Sequence, residues 1–253
     1  ISTGRMWRDV VNELEMDPQL RGRFQYCIFN YPTGNPPAYS ALRLREDLAK
    51  FQQLHPNSRG YVLVGHSMGG NVVMMYAGAR PERIHRLVNI EGFGMAATRP
   101  SQAPGRLGQW LDELHALEKG DLNLKPYPDA AAVAQRLMKT NHRLSQDKAD
   151  WLAQHWAKAD AQGQWQILGD AAHKVVNPYL YRVDEVLEIY KRISAPTLVV
   201  EASDDSLSQW WKGKFTLEEF HERLKSVSNL KMATLQDAGH MLHHDQAEAL
   251  AKL

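Results

Sequence analysis

Tyr61-Val-Leu-Val-Gly-His-Ser-Met-Gly-Gly70 decides how the rest of this chain is read. Tyr61 to Val64 is a short β-branched run, the pattern of a strand buried on both faces in a parallel sheet. It breaks at once into Gly65-His66-Ser67-Met68-Gly69, which fits G-x-S-x-G, and an apolar helical run follows from about Asn71 to Ala79. Strand, sharp turn and helix together are what G-x-S-x-G requires before it can be read as a nucleophile-bearing turn. The turn holds Ser67 in a strained conformation, and Gly65 and Gly69 leave room where a Cβ would clash. The following helix presents free N–H groups, so the Met68 N–H becomes one donor to a developing oxyanion. A chance match in a loop would lack the strand before and the helix after.

Working outward, strands and helices alternate on both sides. Met6 to Glu15 carries Trp7, Val10, Val11 and Leu14 on one helical face. Phe24 to Phe29 reads as a strand, 31–37 as a loop dense in breakers, and Ser40 to Leu54 as a second helix. Ile84 to Ile90 is another strand. After it the alternation stops until about Asp184. This stretch is rich in helix formers and carries tryptophans at 110, 151, 156 and 165, expected as core residues. Alternation resumes with a helix at 185–192, a strand at 197–201, a helix at 216–225 and a strand at 231–235. The pattern predicts an α/β fold with a mostly parallel sheet. The core is expected at 1–91 and 185–253, with a helical cap over 92–184.

Composition narrows the partners. At 253 residues, with 43% hydrophobic and 23% charged, the chain is an ordinary globular one. A net charge of +1 gives no basic footprint for nucleic acid. No apolar run approaches the roughly 20 residues needed to span a bilayer, and a cytoplasmic location is expected. The single cysteine, Cys27, cannot form an intrachain disulfide and is expected as a small buried hydrophobe.

A serine hydroxyl needs a base to take its proton, and in a parallel sheet that base belongs on a loop beyond a later strand's C-terminal end. His240, in Gln236-Asp-Ala-Gly-His-Met241, satisfies this. His66 is fixed beside Ser67 and should point away from it. His240, His243 and His244 resemble a metal trio, but no acidic or cysteine partners are grouped with them, so no metal site is expected. The imidazole needs a carboxylate to hold its tautomer. Asp205, past the strand at 197–201, is the first choice. Asp204 is the second and would otherwise cap a turn. Glu91, just past the strand at 84–90, is a third.

Ser67, then Asp205, then His240 is the chain order nucleophile–acid–histidine, and here the sequence resembles the α/β-hydrolase fold superfamily. Gly65-His-Ser-Met-Gly-Gly70, Arg80-Pro-Glu-Arg-Ile84, Pro196-Thr-Leu-Val-Val200 with Asp204-Asp205, and Asp237-Ala-Gly-His240 carry the resemblance. From Asn71 onward it is similar to capped bacterial serine hydrolases and small esterases. The front third, with Asn30-Tyr-Pro-Thr-Gly34, is more similar to a lipase-like branch. The resemblance implies cofactor-free hydrolysis of a small-molecule ester with a small or medium apolar acyl group, through an acyl-enzyme on Ser67. A carbon–carbon bond hydrolase with the same triad and a non-catalytic binding member of the fold are the alternatives. It also implies that N-terminal strands of the fold lie upstream of this sequence, and that Ile1 or Ser2 supplies the second oxyanion N–H.

Overall fold

The computed structural model describes residues 4–31, 37–58 and 60–253. Ile1 and Ser2 lie outside the described residues. A four-stranded parallel sheet in the order β1-β2-β5-β6 forms the centre: β1 Tyr61–His66, β2 Ile84–Ile90, β5 Thr197–Ala202 and β6 Leu230–Leu235. All four point the same way, so their C-terminal ends form one rim. The separate antiparallel pair β3 Ala157–Ala159 and β4 Trp165–Ile167 belongs to the segment between β2 and β5.

Helices pack on both faces of the sheet. One face carries α2 Pro37–Leu54, α3 Met68–Ala79, α7 Val183–Lys191 and α9 Leu217–Leu224 around Leu63, Leu87 and Val199. The other carries α1 Arg8–Met16 and α11 Ala247–Ala251 around Ile90, Val200 and Leu235. The helix after the turn is apolar all round because it is enclosed all round, by the sheet beneath and helices above. Val72, Met74, Tyr76 and Ala77 are fully or nearly fully buried. Gly78 lets α7 approach, since a Cβ there would stand 2.2 Å from the Ile189 carbonyl oxygen.

Residues 92–184 hold α4 Ala103–Glu118, α5 Ala130–Thr140, α6 Gln146–Trp156 and the β3–β4 pair. Val133, Ala134, Leu144, Ala149, Leu152, Ala153 and Ala157 form a cluster of their own, with Trp151, Trp156 and Trp165 packed against it. α5 and α6 start on side-chain caps, Asp129 on Ala132 N and Ser145 on Lys148 N.

Two expectations are corrected. Residues 24–29 form no strand: the segment is irregular, and Phe24, Tyr26 and Ile28 are exposed. An extended segment becomes a strand only beside a ladder partner, and among the described residues β1 pairs on one side alone, with β2. Val62 and Val64 point to the face that carries α1 and α11 and are exposed there, so β1 is enclosed on one face and not on both as its sequence suggests. Cys27 lies in the same segment and is exposed, not buried.

Candidate active site

At the end of β1 the backbone of Ser67 turns through φ 56°, ψ −122° and starts α3 directly. No unconstrained serine rests there, and such a conformation costs on the order of 1–3 kcal/mol. Two contacts impose it. Ser67 N donates to Ile90 O on β2 at 2.8 Å, and Gly65 lies so close under the turn that a Cβ would meet Gly69 O at 2.3 Å. Met68 is the first residue of α3, so its N–H is one of those at the positive end of the helix that have no intrahelical partner.

His240 lies on the loop beyond β6, and two anchors hold it. Its carbonyl accepts a hydrogen bond from His66 Nε2 at 2.7 Å, which fixes the loop to the residue beside Ser67 and fixes the His66 tautomer. Its Nδ1 lies 3.1 Å from Glu91 Oε2. Its Nε2 makes no hydrogen bond among the described residues, to Ser67 Oγ or to any other group. In unliganded sites that contact often tightens only when substrate arrives. The ring of Trp210 stands edge-on over the imidazole, with centroids 4.3 Å apart.

Glu91 is the first residue past β2 and sits in the left-handed region at φ 53°. That turn drives its side chain into the rim, where it is 2% exposed. Oε1 accepts from Ala202 N at 2.8 Å while Oε2 faces His240. Burial raises its pKa to about 7, helped by the nearby Asp205 and Asp204 charges. Burial likewise lowers His240 to about 4 and His66 to about 3. At neutral pH the pair is a neutral imidazole donating Nδ1–H to a carboxylate that titrates close to neutrality.

The structure thus brings Ser67, Met68, His240 and Glu91 to one rim. It does not bring Asp205 or Asp204 to the imidazole. Asp205 caps α8 Ser206–Trp211, accepting from the backbone N of Ser208 at 2.9 Å and from its hydroxyl. Asp204 is taken by Arg143, at 2.9 and 3.1 Å. Both aspartates lie past β5, two strands from the serine, whereas Glu91 ends β2, the strand next to it. Trp210 was not singled out from the sequence, where nothing distinguishes it from other tryptophans. Among the described residues no group of three or more His, Cys, Asp or Glu side chains is placed to hold a metal, and no helix is long and apolar enough to cross a membrane.

Comparison with known proteins bears on the fold. A zebrafish (Danio rerio) serine hydrolase-like protein is 22% identical over 197 residues, 76% of this chain and 59% of that protein, so the chain spans well under two thirds of its relative. Among solved structures, the thioesterase domain from the curacin biosynthetic pathway superposes with a TM-score of 0.75 at 24% identity, covering 99% of this chain and 86% of that one. A hypothetical protein from Pseudomonas aeruginosa PAO1 gives 0.70 at 25% identity, covering 86% and 72%. The family profile described as alpha/beta hydrolase fold matches residues 3–247, and the chain therefore belongs to the alpha/beta hydrolase fold family.

Proposed function

We propose that this chain hydrolyses carboxylic esters of small or medium apolar acyl groups through an acyl-enzyme on Ser67, with His240 as base and Glu91 as the acid that orients it. The observation that carries the reading is the 3.1 Å contact between His240 Nδ1 and the buried Glu91 carboxylate, on the rim where the strained Ser67 stands. In the first half-reaction Ser67 Oγ attacks the ester carbonyl carbon as its proton passes to His240 Nε2. The carbonyl oxygen becomes an oxyanion held by Met68 N–H. The imidazolium, balanced by Glu91, then protonates the departing alcohol. In the second half-reaction His240 activates water, which attacks the acyl carbon and releases the acid and free Ser67. Ile1 or Ser2, upstream of the described residues, is the proposed second oxyanion donor, and 92–184 the proposed cap over the acyl group. The names of the similar proteins, a serine hydrolase-like protein and a thioesterase domain, support acyl transfer to water.

Fluorophosphonate labelling and a p-nitrophenyl ester series test the proposal. It predicts labelling lost in Ser67→Ala and turnover that depends on acyl length. An unlabelled wild-type protein would favour the non-catalytic binding member of the fold.

A further inference from the structure

Arg143 belongs to the insertion, between α5 and α6, yet its guanidinium bonds only to groups of the core. Nε and Nη2 form a two-pronged pair with Asp204 at 2.9 and 3.1 Å, on the loop that follows β5. Nη1 reaches Asp237 on the loop that follows β6, at 2.6 Å to Oδ1 and 3.1 Å to the carbonyl oxygen. Asp237 sits at φ 53°, the left-handed region, at the start of the turn that delivers His240 three residues later. The two loops are also tied directly, Asp204 N to Ala238 O at 3.0 Å. Gly239 packs against the pair: a Cβ there would lie in ordinary contact with Arg143 Cδ at 3.6 Å and in a tight one with Asp204 Oδ2 at 3.3 Å.

The same segment grips the histidine loop on its far side. Asn141 Oδ1 accepts from Arg143 N at 3.0 Å, and its Nδ2 lies 3.5 Å from Asp245 Oδ1. Asp245 Oδ2 in turn accepts from Gly239 N at 2.9 Å, one residue before the imidazole. Lys148 Nζ donates to His244 O at 2.9 Å and pairs with Asp9 at 2.8 Å. The turn 237–245 is therefore held from outside the core by residues 141–148, with the Arg143 side chain spanning both core loops.

We infer that Arg143 is a positioning residue for His240: the insertion sets the angle of the catalytic imidazole by clamping Asp204 and Asp237 together. This rests on the reading of His240 as the base. An arginine suits the task because its planar fork fixes two partners at once, whereas an ammonium has no preferred plane. A catalytic group displaced by about 1 Å can lose about 100-fold in rate, so a loosened clamp is expressed in turnover before it is expressed in substrate affinity. It also couples the insertion to chemistry, since moving residues 141–148 away would slacken the histidine loop.

The test compares wild type, Arg143→Gln and Arg143→Lys by p-nitrophenyl ester kinetics, fluorophosphonate labelling rate, and the low-field proton resonance of the His240 Nδ1–H bond. Arg143→Gln is expected to lower kcat and labelling rate about 10- to 100-fold, to leave KM within about twofold, and to shift or broaden that resonance. Arg143→Lys should recover part of the loss. If Arg143→Gln does not fold, Asp237→Asn, which leaves the Asp204 pair intact, should give the same changes in smaller measure. An unchanged kcat and an unmoved resonance in folded Arg143→Gln would overturn the inference. So would a loss confined to KM. Wild-type protein that never labels at Ser67 would instead overturn the proposed function, so the two failures are distinct.

Discussion

His240 Nδ1 and Glu91 Oε2 lie 3.1 Å apart, although 149 residues separate them along the chain. One sits beyond the last strand of the sheet and the other beyond β2, and the carboxylate is almost wholly removed from water. This pair determines how the site should respond to pH, to substitution and to acid.

The first expectation is a pH profile. Activity by the proposed mechanism needs His240 neutral and Glu91 ionised. Burial raises Glu91 to about 7 and lowers His240 to about 4, so as pH falls the pair takes up its first proton near 7. That value belongs to the pair and not to one residue. The acid limb of kcat/KM should therefore fall near pH 7, and in Glu91→Gln the residual activity should show its limb displaced towards the lower histidine value. A wild-type limb near 4 would contradict this.

Acid should also destabilise the fold. His66, His240, His243 and His244 all have their acidities shifted so that burial keeps the rings neutral, to about 3 for His66 and about 4 for His240 and His244. Between those values and the ordinary 6.5 the unfolded chain binds more protons, so stability is lost as pH falls from about 6.5 towards 4. Glu91 acts oppositely, because its raised value makes the folded state the better proton binder between 4.5 and about 7. The raised Glu91 and the lowered His240 act in opposite directions within one coupled pair. His66, His243 and His244 therefore decide the direction, against a smaller opposing shift at Glu201. His243 is fully buried with both ring nitrogens unpartnered, its ring stacked 5.1 Å from that of Trp7. His243→Phe should leave thermal stability at pH 7.5 little changed and raise Tm at pH 5 above wild type. Equal Tm values at pH 5 would contradict the cluster's role.

Ser67 carries strain that the proposed mechanism uses and stability does not need. Ser67→Gly should abolish labelling and turnover while gaining about 1 kcal/mol in denaturant unfolding, the relief of a positive-φ serine less the added freedom of glycine in the unfolded chain. A destabilised, folded Ser67→Gly would show that the turn is not strained.

Trp210 is half exposed and stands over the imidazole. Removing an aromatic wall of this kind costs about 1.5 kcal/mol, roughly tenfold in affinity. Trp210→Ala should raise KM about tenfold for longer p-nitrophenyl esters and change that for the acetate much less. An equal effect on every ester would place Trp210 outside the acyl path.

How much of this was legible in the sequence follows the range of the interactions involved. The Ser67 turn was readable because strand, glycines and apolar helix are contiguous, and the histidine loop because a glycine and a histidine directly follow a strand. The alternation of strands and helices likewise located the four strands of the sheet along the chain, though not their neighbours in space. The carboxylate was not separable by position, since Asp204, Asp205 and Glu91 all follow strands. The choice depends on which strand lies next to the serine and on the left-handed turn at Glu91, both set by tertiary contacts. One local signal did exist: an acidic residue immediately after the strand Ile84–Ile90, followed by Gly92, stands where a strand's end delivers it to the rim. The 24–29 segment misled because β-branched and aromatic composition reports fitness for a sheet, not the presence of a neighbour to pair with.

Comparing Glu91→Gln with Asp205→Asn, by kcat on a p-nitrophenyl ester at pH 8, tests the central claim most directly. With Glu91 as the residue that orients the imidazole, Glu91→Gln should lower kcat by about 10³- to 10⁴-fold while Asp205→Asn, which only loosens a helix cap, stays within a few-fold of wild type. The reverse ranking, with Asp205→Asn crippled and Glu91→Gln nearly unimpaired, would contradict it.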